Sequence, residues 1–338
     1  MNRAITVLSP GIRSQVVVLL CALWPAVAFS QEAKEVRLHS PAEIMKIMED
    51  SELMYEIGPD FIAASADSPM VLSNQMYLQK TGQGLSLVMF SISEQARSVF
   101  DRAEEAFRGG KFTEAIVHYR RLLEVQPDYL HAVTLIGDAY FCMQEFDSAK
   151  ANLKRSIELN FVDFYAHWFL ADTYARMGDV ESASREATIA HVLNVNHANL
   201  QKAIRHHRKM AEHPWKEWAF TPEYTISKEG KTVSIQTSLE WMGYAMVKAV
   251  WAYEPGYAAS MLDRPRETLA IVWPEEKEAI VMLLPNKEKF QHISDIIDAG
   301  YFQEFVLYEI TARRHPSVLV VLPHEQFMRV VEYVNLFH

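Results

Sequence analysis

Apolar side chains recur along this chain at helical spacing, at strand spacing and at one much longer period. Ile44, Ile47 and Met48 stand three and four apart. They follow Ser40-Pro41-Ala42-Glu43, a capping box with proline at the first helical position, so a short amphipathic helix is predicted to about residue 50. From 58 to 93 the pattern breaks up around Gly58-Pro59, Ser68-Pro69 and Gly82-Gln83-Gly84, leaving an irregular stretch with one short strand expected at 85–90. Beyond 215 the spacing changes again. Residues 224–226 and 232–237 flank Glu229-Gly230 as a hairpin. Leu239, Met242, Met246, Val247 and Val250 make a helical stripe that ends at Pro255-Gly256. Short apolar runs at 269–273 and 279–284 suggest a second hairpin turning at Pro274-Glu275-Glu276-Lys277, and 305–310 and 318–322 suggest further strands. Phe290, Ile293, Ile296 and Ile297, closed by Gly300, predict one late helix, and Phe327, Val330, Val331 and Val334 predict the last.

The long period lies between these flanks. Shifted by 34 residues, the chain matches itself without a gap over 96–129, 130–163 and 164–197. Ala115, Ala149 and Ala183 share one column; Phe112, Phe146 and Val180 another. Ala103, Gly137 and Ala171 form a column of small residues, and Ala106, Tyr140 and Tyr174 a small-to-aromatic one. Gly110, Gln144 and Gly178 fall where a turn belongs, and Asn160 pairs with Asn194. Small residues let two antiparallel helices approach closely, and bulky ones fill the space between units.

These columns resemble the tetratricopeptide repeat family. Pro127 sits where that family often ends its second helix; Phe161 and Val195 depart from it there. The resemblance implies a right-handed stack of helical hairpins with a concave face lined by the first helix of each pair. On this chain that face would carry Arg97, Phe100, Glu104, Phe107 and Arg108, then His131, Thr134, Asp138 and Phe141, then Tyr165, Trp168, Asp172 and Arg176. Glu104, Asp138 and Asp172 make an acidic column. Family members that clamp a peptide carboxylate use asparagines and lysines on this face; this chain lacks them, so that ligand class is not carried over. Residues 200–213 read as one further helix capping the stack. The expected fold class is therefore mainly α: a short helical-hairpin solenoid followed by a small α+β domain. The segments are 1–30, 31–93, 94–214 and 215–338, the last expected to have a core of its own.

Composition changes this picture in two places. Arg3 and Arg13 precede an apolar run at 16–29, with small residues Ala26, Ala28 and Ser30 before Gln31. That is the layout of a cleaved signal peptide, and the run is short for a membrane span, so export to the periplasm or the outside is expected, without a transmembrane helix in the mature chain. Of the two cysteines, cleavage removes Cys21 and leaves Cys142, read as a small buried side chain on a helix. The formal charge of −10 argues against nucleic acid as a partner.

Candidate chemistry is sparse. The 12 glycines form no phosphate loop, and no Gly-x-Ser-x-Gly elbow is present. His191, His197, His206, His207 and His213 lack the i, i+4 pairing of helical metal ligands. His292, His315 and His324 could join Glu304 or Glu309 in acid–base work, but nothing in the sequence fixes their separation. Glu275-Glu276 are expected in a solvated turn. The reading is a non-enzymatic interaction scaffold, without cofactor or metal, that binds a protein or peptide in the groove. Self-association through open repeat ends is a structural alternative. An enzyme or small-ligand receptor would instead need a deep polar pocket in 215–338.

Overall fold

The computed structural model describes residues 37–59, 70–72, 76–81, 84–262, 265–266, 269 and 271–338. The expected signal segment 1–30 lies outside them, as do 60–69. The capping box at Ser40 is formed. Glu43 N donates to Ser40 Oγ at 3.3 Å and Ser40 N to Glu43 Oε2 at 2.8 Å, starting α1 (Pro41–Glu49). β1 (Met54–Gly58) follows, then the hairpin of β2 (Met76–Thr81) and β3 (Gly84–Met89).

Three helical hairpins come next: α2 (Glu94–Arg108) with α3 (Phe112–Val125), α4 (His131–Cys142) with α5 (Phe146–Leu159), and α6 (Phe164–Arg176) with α7 (Val180–Leu193). The small-residue columns lie where they pack: Ala103, Ala115, Ala149, Ala171 and Ala183 are all buried. At Gly137 a Cβ would stand 2.6 Å from Leu153 Cγ, so the α4–α5 approach requires glycine there. The turn column is left-handed throughout, with φ of +75° at Gly110, +64° at Gln144 and +84° at Gly178. Helix α8 (Ala198–Met210) caps the stack and buries Leu200, Ile204, His207 and Arg208.

The rest is more helical than the apolar runs suggest. β4 (Tyr224–Glu229) and β5 (Thr232–Thr237) form the expected hairpin, and β1 adds to β5 in parallel, giving the order β1-β5-β4. A 3₁₀ turn at Leu239–Trp241 leads into α9 (Met242–Tyr253) and α10 (Tyr257–Met261). The second hairpin, expected from 269–273 and 279–284, is instead α11 (Trp273–Val281). Pro274, Glu275 and Glu276 form its first turn, where proline's missing N–H costs nothing and acids face the positive end of the helix dipole. After α12 (Lys287–Asp298), α13 (Phe302–Phe305) runs through a π-helical turn at Val306–Thr311 into α14 (Ala312–Arg314), and α15 (Ser317–Val320) precedes α16 (His324–Phe337). The strands expected at 305–310 and 318–322 are therefore helical. Both runs are almost wholly buried, and a run with so few exposed positions carries no period to separate strand from helix.

The core of this sheet-containing region is continuous with its neighbours. It takes in Ile44 and Met48 from α1, Ile189, Val192 and Leu193 from α7, and Leu200 and Ile204 from α8. Glu278 on α11 ties the same parts together. It is fully buried and accepts from His39 N at 2.7 Å, Trp251 Nε1 at 2.7 Å and Tyr257 Oη at 2.9 Å. Glu275 and Glu276, expected in solvent, flank Lys248 Nζ at 2.5 and 2.6 Å, and Arg266 also pairs with Glu275. Burial alone would lower the Lys248 ammonium, but Glu276 and Glu275 hold it up at about 12.

Candidate functional site

The expected groove residues sit on α2, α4 and α6, and the structure commits many of them to partners. Glu104 accepts from Tyr119 Oη at 2.7 Å, and Asp172 Oδ1 lies 3.0 Å from His207 Nε2 on the capping helix. Asp138 is buried. His131 and Thr134 are placed inside the stack rather than on its surface. His131 Nδ1 lies 2.7 Å from Asp163 Oδ2, and Thr134 Oγ1 is 2.7 Å from the same oxygen and 2.6 Å from Ser156 Oγ. Asp163 also caps α6 through its other oxygen, receiving Tyr165 N at 3.1 Å. Burial opposes charge on both members of the His131–Asp163 pair. Their mutual attraction wins, raising the imidazole and lowering the carboxyl, so the repeat holds an internal ion pair.

The aromatic members do come together in the third unit. Tyr165 and Trp168 stack at 5.9 Å, with Phe169 and His197 against them. Phe100 meets Tyr129 edge-on at 6.0 Å, and from there His131 leads by ring contacts to Tyr165; Phe141 meets Phe146 at 5.8 Å and packs in the same cluster as Phe169 and Tyr165. Arg97, Arg108 and Arg176 are exposed; Arg108 Nε donates to Glu104 O at 3.1 Å, and Arg176 lies over the Phe146 ring at 5.2 Å. Cys142, expected to be buried, is exposed in the last turn of α4.

A second feature was only half visible in the pairing of Asn160 with Asn194. Gln126 completes that column, and all three amides stand at the ends of second helices and bind main chain from the preceding segment. Leu72 N donates to Asn194 Oδ1 at 3.2 Å, and Asn194 Nδ2 donates to Leu72 O at 3.1 Å. Asn160 Nδ2 donates to Met76 O at 2.7 Å. Gln126 Nε2 donates to Ser91 O at 2.8 Å and Gln126 Oε1 accepts from Ser93 N at 2.9 Å. A carboxamide offers the same donor and acceptor as a peptide group, so each rung reads backbone, not side chains. The bound segment runs from the third repeat to the first.

The tetratricopeptide repeat family model matches residues 130–163, the middle unit. Residues 96–197 are a tetratricopeptide repeat array. Solved structures similar to the chain include the first such domain of Spaghetti (RPAP3) bound to an HSP90 peptide, at 20% identity over 36% of this chain and 95% of that one, with a TM-score of 0.33. Another is the Arabidopsis OM64 repeat domain, at 14% identity over 35% and 97%, with a TM-score of 0.33. A third is the Yersinia enterocolitica type III secretion chaperone SycD in complex with a peptide of the translocator YopD, at 15% identity over 36% and 92%, with a TM-score of 0.32. No curated protein matches the chain.

Beside the repeat array, the histidines and acids named as candidate chemistry are spread out. Glu304 pairs with Arg329 at 2.7 Å, and Glu309 with Arg313 at 2.9 Å and His338 at 2.6 Å. His292 packs on Trp218, and His324 on Phe161. Among the described residues no group of three or more His, Cys, Asp or Glu is placed to hold a metal ion, and no helix is long and apolar enough to cross a membrane. The polar cleft of interest lies not within 215–338 but where that region meets α7 and α8. It measures about 210 Å³ and includes His191, Arg205, Trp215, Trp218, Tyr308 and Arg313 in its wall.

Proposed function

We propose that the chain is an exported interaction scaffold whose repeat array docks a segment of a partner protein along its concave face. The observation that carries this reading is the amide ladder: side chains of this array, at repeat spacing, hydrogen-bond the main chain at Leu72, Met76 and Ser91. The partner would lie on the neighbouring face, with Tyr165 and Trp168, both half-buried on α6, as aromatic anchors. The signal-like 1–30 segment supports export.

The test is a comparative pull-down from envelope extract. The bait is residues 31–338 beside a Tyr165→Ala/Trp168→Ala variant shown by circular dichroism to be folded. A prey held by the parent and lost by the variant is the expected outcome, with the endogenous chain in the same extract beginning at Gln31. The same prey on both baits, or none, removes the groove from the account.

A further inference from the structure

The cleft between the end of the repeat array and the last third of the chain has features that packing alone does not require. Its wall is drawn from α7, α8, residues 215–219, the π-helical turn and α14. His191 and Tyr308, both buried, meet there with Nε2 and Oη 2.7 Å apart. The imidazole is pushed down to about 3, first by burial and then by the charges of His338, Arg205 and Arg313, so it is neutral. Burial likewise keeps the Tyr308 phenol protonated. A neutral imidazole and a phenol carry two polar hydrogens, and their mutual bond uses one. Among the described residues His191 Nδ1 has no hydrogen-bond partner. Whichever tautomer is present, the pair retains a hydrogen that no described group accepts.

Charge in the wall favours an anion. Two guanidinium groups, Arg205 and Arg313, face one carboxylate, Glu217, in a chain whose formal charge is −10. Glu217 is already neutralised by a two-pronged contact with Arg205, at 2.6 and 3.2 Å. Arg313 donates to Glu309 at 2.9 Å from behind, and that carboxylate is shared with His338 and with Tyr333 Oη, so Arg313 is only partly neutralised. The apolar part of the wall is Val195, Ile204, Trp215 and Trp218. Both indoles are fixed. The His338 ring stacks on each at 4.8 Å, Trp218 Nε1 donates to Phe337 O at 2.9 Å, and Arg208 lies 5.6 Å over Trp215. The π-helical turn that presents Tyr308 is a rare backbone form that is frequent at functional sites. A volume of about 210 Å³ is the space of about seven waters at about 30 Å³ each, which admits a ligand of metabolite size but not a peptide.

We propose that this cleft is a binding site for a small organic carboxylate with a flat or apolar body. Arg313 and the His191–Tyr308 pair hold the carboxylate, and the indoles and Ile204 line the body. The ligand would thereby bridge the repeat array and the region packed on its end.

The test is calorimetric titration and saturation-transfer NMR of residues 31–338 with acetate, benzoate and phenylacetate, against benzamide and benzylamine as neutral and cationic counterparts. At least one aromatic carboxylate is expected to bind with a dissociation constant of about 1 mM or tighter. Benzamide should bind at least about tenfold more weakly, and benzylamine not at all. Tyr308→Phe should weaken the carboxylate about tenfold. Gln201→Trp, which fills the cleft from its half-exposed side, should abolish binding with the melting temperature held. The proposal is overturned if no carboxylate binds, if benzamide binds as well as benzoate, or if Gln201→Trp leaves binding intact and so places it elsewhere on the molecule.

Discussion

The repeat array and residues 215–338 solve the same problem, burying an apolar core, in opposite ways. In the array each helix packs on the next one in sequence, and its surface charges form loose local pairs such as Lys111 with Glu114 and Arg155 with Glu158. In 215–338 the core borrows α1, β1, α7 and α8 and buries Glu275, Glu278 and Glu309, whereas the ion pair the array buries, His131 with Asp163, joins neighbouring units. Local packing makes a module that can be extended or cut by whole repeats. Borrowed packing makes a region that holds the two ends of the chain to the array and has no independent edge.

The largest effect should come from cutting along that difference. Residues 215–338 expressed alone lose β1 from the sheet and the apolar faces of α1, α7 and α8 from the core. We expect no cooperative thermal transition from this fragment. Residues 94–214 should keep helical circular dichroism and a cooperative melt, at a lower temperature than the full chain because Ile189, Val192, Leu193 and Ile204 become exposed. A cooperative transition in isolated 215–338 would sink the contrast.

Single carboxylates sharpen it. Glu278→Ala strands the buried donors of His39, Trp251 and Tyr257 and should cost about 3 kcal/mol in urea unfolding. Glu124→Ala removes an exposed pair with Arg121 on α3 and should stay within about 0.5 kcal/mol. Equal costs would mean that the two regions do not differ in how they use charge.

The same difference decided what the sequence made legible. The columns through Ala103, Gly137 and Ala171 are visible because each residue meets the same neighbours one period later, so a local pattern determines its environment. The hairpin 224–237 and the helix at 324–337 are half-buried elements with a clear period, and the helix at 239–251, though largely buried, keeps its apolar stripe up to Pro255-Gly256. At 305–310 and 318–322 nearly every side chain is buried, so the period is erased, while 273–281 is a half-buried helix whose Pro-Glu-Glu-Lys start looks like a turn. Glu275 looked like a solvated turn residue because Lys248 and Arg266, which make its burial tolerable, are 27 and 9 residues away. Thr134 was placed on the groove by its column, but its column cannot show that Asp163 and Ser156 draw it inward. The cleft at His191 and Tyr308 was invisible for the plainest reason: its two central residues are 117 apart.

The smallest expected effect separates two buried histidines of the array, one inside a repeat and one where the array meets 215–338. His131 is charged in its ion pair, with its pKa raised by Asp163 against the cost of burial. Its contribution is therefore complete below the unfolded value of about 6.5 and is lost as pH rises through the folded value. His191 is depressed to about 3, chiefly by burial. Between that value and about 6.5 the unfolded chain binds a proton that the native one refuses, so stability falls as pH falls. Stability measured by urea unfolding at pH 5.5 and pH 7 isolates this, with each variant subtracted from the parent to cancel the other histidines. On acidification the parent should lose about 1 kcal/mol more than His191→Gln, whose amide can still meet Tyr308 Oη. His131→Gln should show no such relief, and its deficit against the parent should shrink as the medium is made more alkaline. If both variants followed the parent in parallel, neither imidazole would have the charge state that its surroundings dictate. The contrast between a repeat that keeps an ion pair and a junction that keeps a neutral donor would then fail where it is most specific.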